Sequence, residues 1–550
     1  MKIRLSKTEF LFLFLLYLSG LFLRLYPRLS LDPHLLTFEA DIWYRLCLAQ
    51  YVLDHGALPV WDIRYEAYGQ VPLWYNIWAI YGFAFLSKLT ALDLPTVCSR
   101  FLPFLESFAI LPMYFLCRRL YGQRVAVLTT LFLQVSPAFV FWTGICSPQS
   151  FTLFMIPVII LLWVRFLQDE FVLGNKWLHL SFMGGLLALN FLLHLTVFNL
   201  IVILLSVHLA FILESRARAK DYVYLLVPIL LSQILTAWWW LPNNLYWWWT
   251  QVLTTSSAFF EGREFLHHYG FLSGTYGHLA LLVLIIYIAR RHRGFPPFFL
   301  VPVVWALFPM AESHNEGILR LINRSEWTWV NLVKPLEGFR FYCFLAQPLA
   351  ICVGLSLNFM WEKIKEKTRL TKIIIVVALI YFSAGLDMMQ NFNLFGRFRN
   401  PSMEISEIRA AHWFRNNSKS SDRILTEYFT AQMLAGICGG RTLLGSMFPL
   451  KNVDIPYITE GWRVQTEIYS VYVTDSPGKI AEILKRYRCT HVFFSKKVLR
   501  HIEAITKGDT VLEDISGLEE KNYSATLFNP AYFKTVYEDK DVRILEWIGR

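Results

Sequence analysis

The chain has 550 residues, 55% of them apolar, 17% aromatic and only 17% charged, a balance outside that of soluble globular domains. Apolar runs long enough to span a bilayer recur along its first two thirds, so the sequence reads as an integral membrane protein. The formal net charge is +11, but much of the basic excess sits in short loops between apolar runs, the bias that keeps loops cytoplasmic, and a nucleic-acid partner is unnecessary.

The first apolar run, Glu9 to Tyr26, lacks a small-residue cleavage site and reads as a retained first helix. Further candidate spans follow at about 100–117, 125–142, 150–166, 178–194, 196–213, 222–240, 273–289, 295–310, 341–360 and 371–387. Together with 8–27 they give a working count of about eleven. The basic clusters at Lys2, Arg4 and Lys7, at Arg118, Arg119 and Arg124, at Arg216, Arg218 and Lys220, at Arg290, Arg291 and Arg293, and at Lys363, Lys365, Lys367 and Arg369 must all return to one face. Two apolar stretches, 72–92 and 100–117, separate the first cluster from the second, and only one can cross. Crossing is assigned to 100–117, which runs straight into Cys117-Arg118-Arg119, and 72–92 becomes a re-entrant or interfacial helix.

This parity predicts a transmembrane domain at 1–387, a large first outer loop at 28–99 and an extracytoplasmic domain at 388–550. Polar segments 28–71, 143–149 and 241–272 then share the outer face with the tail, joined by 311–340. The inner loops leave little room for a nucleotide-binding domain. In the tail, "EISEIRAAHWFRNN" reads as an amphipathic helix, and "DRILTEYF" and "THVFFSKKV" read as strands. "DSPGKIAEILKRYR" reads as a helix capped at Asp475 and Ser476 with Pro477 in its first turn. "YFKTVYEDKDVRILEWIGR" closes as a hairpin, so the tail is α/β. Cys438 and Cys489 could pair there if the tail is extracytoplasmic; spacing does not decide it. Asn-x-Ser occurs at Asn323, Asn416 and Asn522. No repeat, P-loop or dinucleotide fingerprint appears.

The segment "ADIWYRLCLAQYVLDHGALPVWDIRYEAYGQVPLWY", from Ala40, resembles the first outer loop of the catalytic subunit of oligosaccharyltransferases. So, more modestly, do "VSPAFVFWTGICSPQSFTLFMIPV", "EGFRFYCFLAQPLAICVGL", "LAGICGGRTLLGS" and the closing "VYEDKDVRILEW". The resemblance implies a polytopic α-helical membrane glycosyltransferase of GT-C type with a C-terminal extracytoplasmic α/β domain. It also implies a polyprenyl-linked sugar donor and a divalent cofactor, Mn or Mg, at the extracytoplasmic surface of a prokaryotic plasma membrane or of the endoplasmic reticulum. On it Asp41 matches the metal-binding aspartate of the first acidic motif, trailed by Trp43, Tyr44 and Arg45. Two departures stand out. Cys146, Ser147 and Gln149 occupy the turn where the second acidic motif belongs. "ILTEYFTAQM" replaces the tryptophan-rich peptide-recognition motif, with only Glu427 and Tyr428 as an echo.

Transfer from a lipid phosphate needs a carboxylate for the acceptor, neutralisation of the leaving phosphate and a slot for the prenyl chain. Asp41 is the leading carboxylate and metal ligand. Glu39 would share its side of an extended segment but not of a helix. "FFEGREFLHHYG" adds Glu261 or Glu264, matching the family's mobile loop, and His267 for metal or phosphate. The same stretch, beside Trp247, Trp248 and Trp249, would equally serve as an interfacial rim. Glu312, with His314 and Glu316, is a candidate replacement for the missing acidic motif or an ordinary loop cap. Arg340, His267 and Arg45 are the donor-phosphate candidates, although an arginine at a helix end also snorkels to headgroups without binding substrate. Glu427, Tyr428 and Trp462 are the acceptor-side candidates; "VDIPYITEGWRVQTE" around Trp462 suits sugar hydroxyls or simple docking. The implied partners are the polyprenyl-linked donor, a glycan, lipid or protein acceptor, membrane lipids and accessory subunits. Competing readings are an asparagine-directed oligosaccharyltransferase, a lipid or solute transporter and a non-catalytic partner that kept the fold.

Overall fold

The computed structural model describes residues 5–29, 40–61, 63, 73, 77–144, 147–193, 197–249, 275–290, 296–313, 344–363, 404–438, 441–443, 456–499 and 524–549. In chain order the helices are α1 (Lys7–Leu29), α2 (Ala40–His55), α3 (Ile77–Thr90), α4 (Leu94–Tyr121), α5 (Gln123–Val135), α6 (Pro137–Trp142) and α7 (Pro148–Leu167). They continue with α8 (Lys176–Leu193), α9 (Val197–Leu213), α10 (Val223–Trp249), α11 (Thr275–Arg290), α12 (Leu300–Ser313) and α13 (Ala346–Lys363). The tail holds α14 (Ile405–Asn417), β1 (Ile424–Leu425), α15 (Tyr428–Cys438), α16 (Pro456–Val473), α17 (Pro477–Arg486), β2 (His491–Ser495), β3 (Phe533–Asp539) and β4 (Val542–Trp547). Two compact units result: residues 1–30 with 100–399, and residues 31–99 with 400–550.

The first unit is helical. Among the described residues five helices are long and apolar enough to cross a membrane: Lys7–Tyr26, Leu94–Tyr121, Pro148–Leu167, Lys176–Leu193 and Lys220–Pro242. The remaining expected spans up to 341–360 appear as shorter helices or parts of helices, and 371–387 lies outside the described residues. Without a hydrophobic force between helices in lipid, close backbone approach and polar contacts hold such a unit together. Gly354 on α13 shows the first: a Cβ there would run into the Thr129 hydroxyl and stand 3.1 Å from the Thr129 nitrogen on α5. Glu9 shows the second, accepting from the Tyr114 hydroxyl at 2.8 Å and pairing with Arg118 at 3.2 Å. That ties α1 to the basic end of α4. Pro157 in α7 and Pro228 and Pro242 in α10 are accommodated within continuous helices, as neighbouring helices in a membrane allow.

The second unit is mixed α/β. Its sheet runs β1-β2-β4-β3, with β1 parallel to β2 and the other pairs antiparallel. The closing hairpin forms as expected and turns through Lys540 at φ +53°. α17 begins at its Ser476 cap and buries Ile480, Ile483 and Leu484. α14 packs Phe414 edge-on against His491 of β2 with ring centroids 5.1 Å apart. Glu407 of α14, pushed above the ordinary carboxylate range by burial, accepts from the Ser495 hydroxyl at 2.8 Å.

Two expectations change in detail. The strand anticipated through "DRILTEYF" is only Ile424–Leu425, because Glu427 caps a helix that begins at Tyr428. Cys438 and Cys489 are both buried free thiols rather than a disulfide. The stretch 72–92 contains α3, whose 14 residues are short of the roughly 20 a span requires, whereas the stretch ending at Arg118 and Arg119 belongs to the 28-residue α4.

Candidate functional site

The motif that opens the first loop forms the start of α2, with Asp41 as its second residue. Asp41 is therefore helical, and the side-sharing geometry of an extended segment does not apply to it. A carboxylate in a first helical turn is favoured by the exposed backbone N–H groups there; its side chain lies outside the described residues. The next turn is almost solvent-free: Trp43 and Tyr44 are fully buried and Arg45 is 5% exposed. α2 is held by α3 and by α15 of the same unit. The contact with α15 is close because Gly436 has no side chain: a Cβ there would lie 2.7 Å from the Trp43 carbonyl oxygen and 2.9 Å from its indole. Cys47, Ala431 and Ala435 continue this small-residue seam.

α15 owes its start to Glu427. The fully buried Glu427 carboxylate accepts from the Thr430 amide at 2.7 Å and from the Thr430 hydroxyl, which is an N-cap. Burial first, and the nearby Glu427 charge in addition, raises the phenols of Tyr469 and Tyr472 above their ordinary range. Glu427 thus caps its own helix, and the side chain of Tyr428 lies outside the described residues. Trp462 sits in α16, its side chain likewise outside them.

In the helical unit, a polar cluster gathers at the end opposite the basic loops. Arg24 donates through Nε to the Thr143 hydroxyl at 3.0 Å and through Nη1 to the Gly20 carbonyl at 2.8 Å. The charges of Arg24 and Arg28 act on the buried carboxylate of Glu106 without closing an ion pair with it, and Ser150 lies close by. All four residues are 4% exposed or less. Neither oxygen of Glu106 closes a hydrogen bond, nor does Nη1 of Arg28. This cluster borders residues 143–150, where the resemblance expects carboxylates and the sequence offers Ser147 and Gln149, with Cys146 outside the described residues. Glu106 was missed because it lies inside an apolar run; an acid within a membrane span was the signal available. With two buried guanidinium charges acting on it, it is a poor ligand for a cation.

Among the described residues no three His, Cys, Asp or Glu side chains converge as a metal site. Glu39, Glu261, Glu264, His267, His314, Glu316 and Arg340 lie outside those residues. Glu312 falls within α12, but its side chain is outside them too.

No protein-family model matches the sequence, and no curated protein matches it. Solved structures do. The chain is similar to an oligosaccharyltransferase of Archaeoglobus fulgidus in complex with zinc and sulfate, at TM-score 0.58 and 13% identity, over 90% of this chain and 70% of that one. It is similar to the archaeal oligosaccharyltransferase AglB of the same organism in complex with an inhibitory peptide and a dolichol-phosphate, at TM-score 0.58 and 12% identity, over 91% and 71%. It is also similar to ArnT from Cupriavidus metallidurans bound to undecaprenyl phosphate, at TM-score 0.52 and 11% identity, over 98% of both chains. At such identities the likeness is one of fold, and the fold is the GT-C architecture: a polytopic helical membrane region with a mixed α/β domain at the C-terminal end.

Proposed function

We propose that this protein is a GT-C type glycosyltransferase that moves a sugar or oligosaccharide from a polyprenyl-phosphate or polyprenyl-pyrophosphate donor to an acceptor on the extracytoplasmic face of the membrane. One observation carries the reading most: over nine-tenths of its length the chain follows folds whose structures hold dolichol-phosphate or undecaprenyl phosphate. The matching Asp41 motif begins a helix in this same fold. Asp41 serves as the central carboxylate, with Glu39, Glu261 or Glu264 as its partners in acting on the acceptor. Arg340, His267 and Arg45 take the donor phosphate. A divalent Mn or Mg ion at Asp41, with Glu312 or His267, would supply positive charge at the leaving phosphate.

The acceptor is a glycan or glycolipid rather than an Asn-x-Ser/Thr peptide. The support is the sequence "ILTEYFTAQM", which lacks the tryptophan pair expected for peptide recognition, together with the burial of Glu427 as a helix cap. The test is to incubate the purified protein with polyprenyl-linked sugars from its own membranes. An Asn-x-Thr peptide is offered beside a native lipid and polysaccharide extract, and the product that gains mass is identified by mass spectrometry. A gain confined to the lipid or polysaccharide fraction is expected; efficient peptide glycosylation would reverse the acceptor assignment.

A further inference from the structure

A groove of about 590 Å³ runs between α4 and α7 of the helical unit. Its α7 wall is the stripe Ser150, Phe154, Val158, Leu161 and Arg165, whose spacing of three or four residues keeps one helix face open from end to end. Ser150 to Arg165 covers about 22 Å at 1.5 Å per residue, most of a hydrocarbon core of about 30 Å. The lining is apolar except at the ends, where Glu106 and Ser150 stand at one and Arg165 at the other.

The Arg165 end carries unbalanced positive charge. Arg165 and Arg119 share a single carboxylate, Glu170, at 3.7 and 2.5 Å. Lys176 adds a further cation, its Nζ lying 5.4 Å from the Phe166 ring centroid. Arg165 is 33% exposed; its buried Nε faces Glu170 without closing a hydrogen bond, so the rest of its guanidinium is what the groove end offers. Arg119, by contrast, also holds Gln168 at 2.6 Å. An arginine beside an apolar groove, at the end of the helices that bears the basic loops, is matched by a phosphate with a chain attached.

We infer that this groove binds an anionic glycerophospholipid from the leaflet on the basic-loop side, with its phosphate at Arg165 and one acyl chain along Val158 and Phe154. Inside a bilayer the chain gains only the closer packing of a fitted groove, so the headgroup contact decides which lipid occupies it. The groove shares no residue with the Asp41 motif, and its occupancy is read without any glycosyl transfer.

The test uses the full chain in phosphatidylcholine nanodiscs containing a minor fraction of phosphatidylglycerol, with Phe154→p-benzoylphenylalanine as a photo-crosslinker. The same substitution at Phe359, 43% exposed on α13, is the control. Phe154 is expected to capture phosphatidylglycerol several-fold above its share of the bilayer, and Phe359 to capture it at that share. Arg165→Gln should return the Phe154 ratio to the bilayer value, and Arg165→Lys should keep most of the enrichment. Should Arg165→Gln fail to fold, Val158→Trp, which fills the groove and leaves the arginine, must abolish the enrichment. A bilayer ratio at Phe154 in the otherwise native chain would overturn the inference. So would enrichment that survives the tested variant, or displacement of phosphatidylglycerol by added undecaprenyl phosphate.

Discussion

A buried carboxylate with two buried guanidinium groups in its neighbourhood, as Glu106 has in Arg24 and Arg28, balances their charge without contacting them directly. Glu106→Leu removes the negative charge nearest two buried cations and should lower stability by about 1–3 kcal/mol, less than the loss of a contacting buried ion pair. Glu106→Gln, which keeps the polar volume, should cost less. Thermal unfolding in detergent, followed by size-exclusion chromatography, checks both, and wild-type unfolding of Glu106→Leu would refute the structural role. At this scale the sequence was uneven. Asp41 stood out because acid, aromatics and arginine follow one another within five residues. Glu106 did not, because its partners come from residues 24, 28 and 150, and only folding assembles them. Glu427 was visible as an acid beside an aromatic, but its identity as a cap required knowing that a helix starts there.

Helix contacts are where small residues matter most. α2 meets α15 so closely at Gly436 that Gly436→Ala must push the Trp43 backbone aside or distort its own helix. Overpacking of this kind costs about 1–3 kcal/mol. The expected result is a lower unfolding temperature for the variant, accompanied by weakened turnover because α2 carries Asp41; an unchanged unfolding temperature would show that the seam is looser than the geometry indicates. Long elements were readable from hydrophobic runs, and α1, α4, α7, α8 and α10 lie where those runs predict them. The 16-residue α2 was hidden in a loop because its acid, arginine and interspersed aromatics give no span signal. β1 was overestimated because "DRILTEYF" is rich in strand formers throughout. The Glu427 cap overrides that propensity after two residues.

At the scale of the whole molecule, the charge-parity reading puts the basic loops on the cytoplasmic face and α3 on the outer side. A cysteine placed by Lys88→Cys on the exposed side of α3 should therefore be labelled by an impermeant reagent from the extracytoplasmic side. Arg124→Cys, 53% exposed, should be labelled from the cytoplasmic side. Labelling of both from one side would break the assignment of 72–92 as a non-crossing segment. The fold class followed from the length of the apolar runs and the mixed pattern of the tail; the topology rests on charge parity and awaits this labelling. The pairing of residues 31–99 with 400–550 in one compact unit was not legible, since it joins segments some 300 residues apart by side-chain complementarity that no local pattern records.

The proposed role of Asp41 in sugar transfer from a lipid-linked donor is measured most directly by comparing the 550-residue chain with Asp41→Asn at equal folded amounts. Both are supplied with polyprenyl-linked sugars and the acceptor fraction that gains mass, and the release of polyprenyl phosphate is followed. The account predicts donor consumption by the wild type and a fall of about a hundredfold or more in the variant, the scale seen when one group acting on developing charge is removed. Equal turnover by the two proteins, or no consumption of any lipid-linked sugar by the wild type, would contradict it.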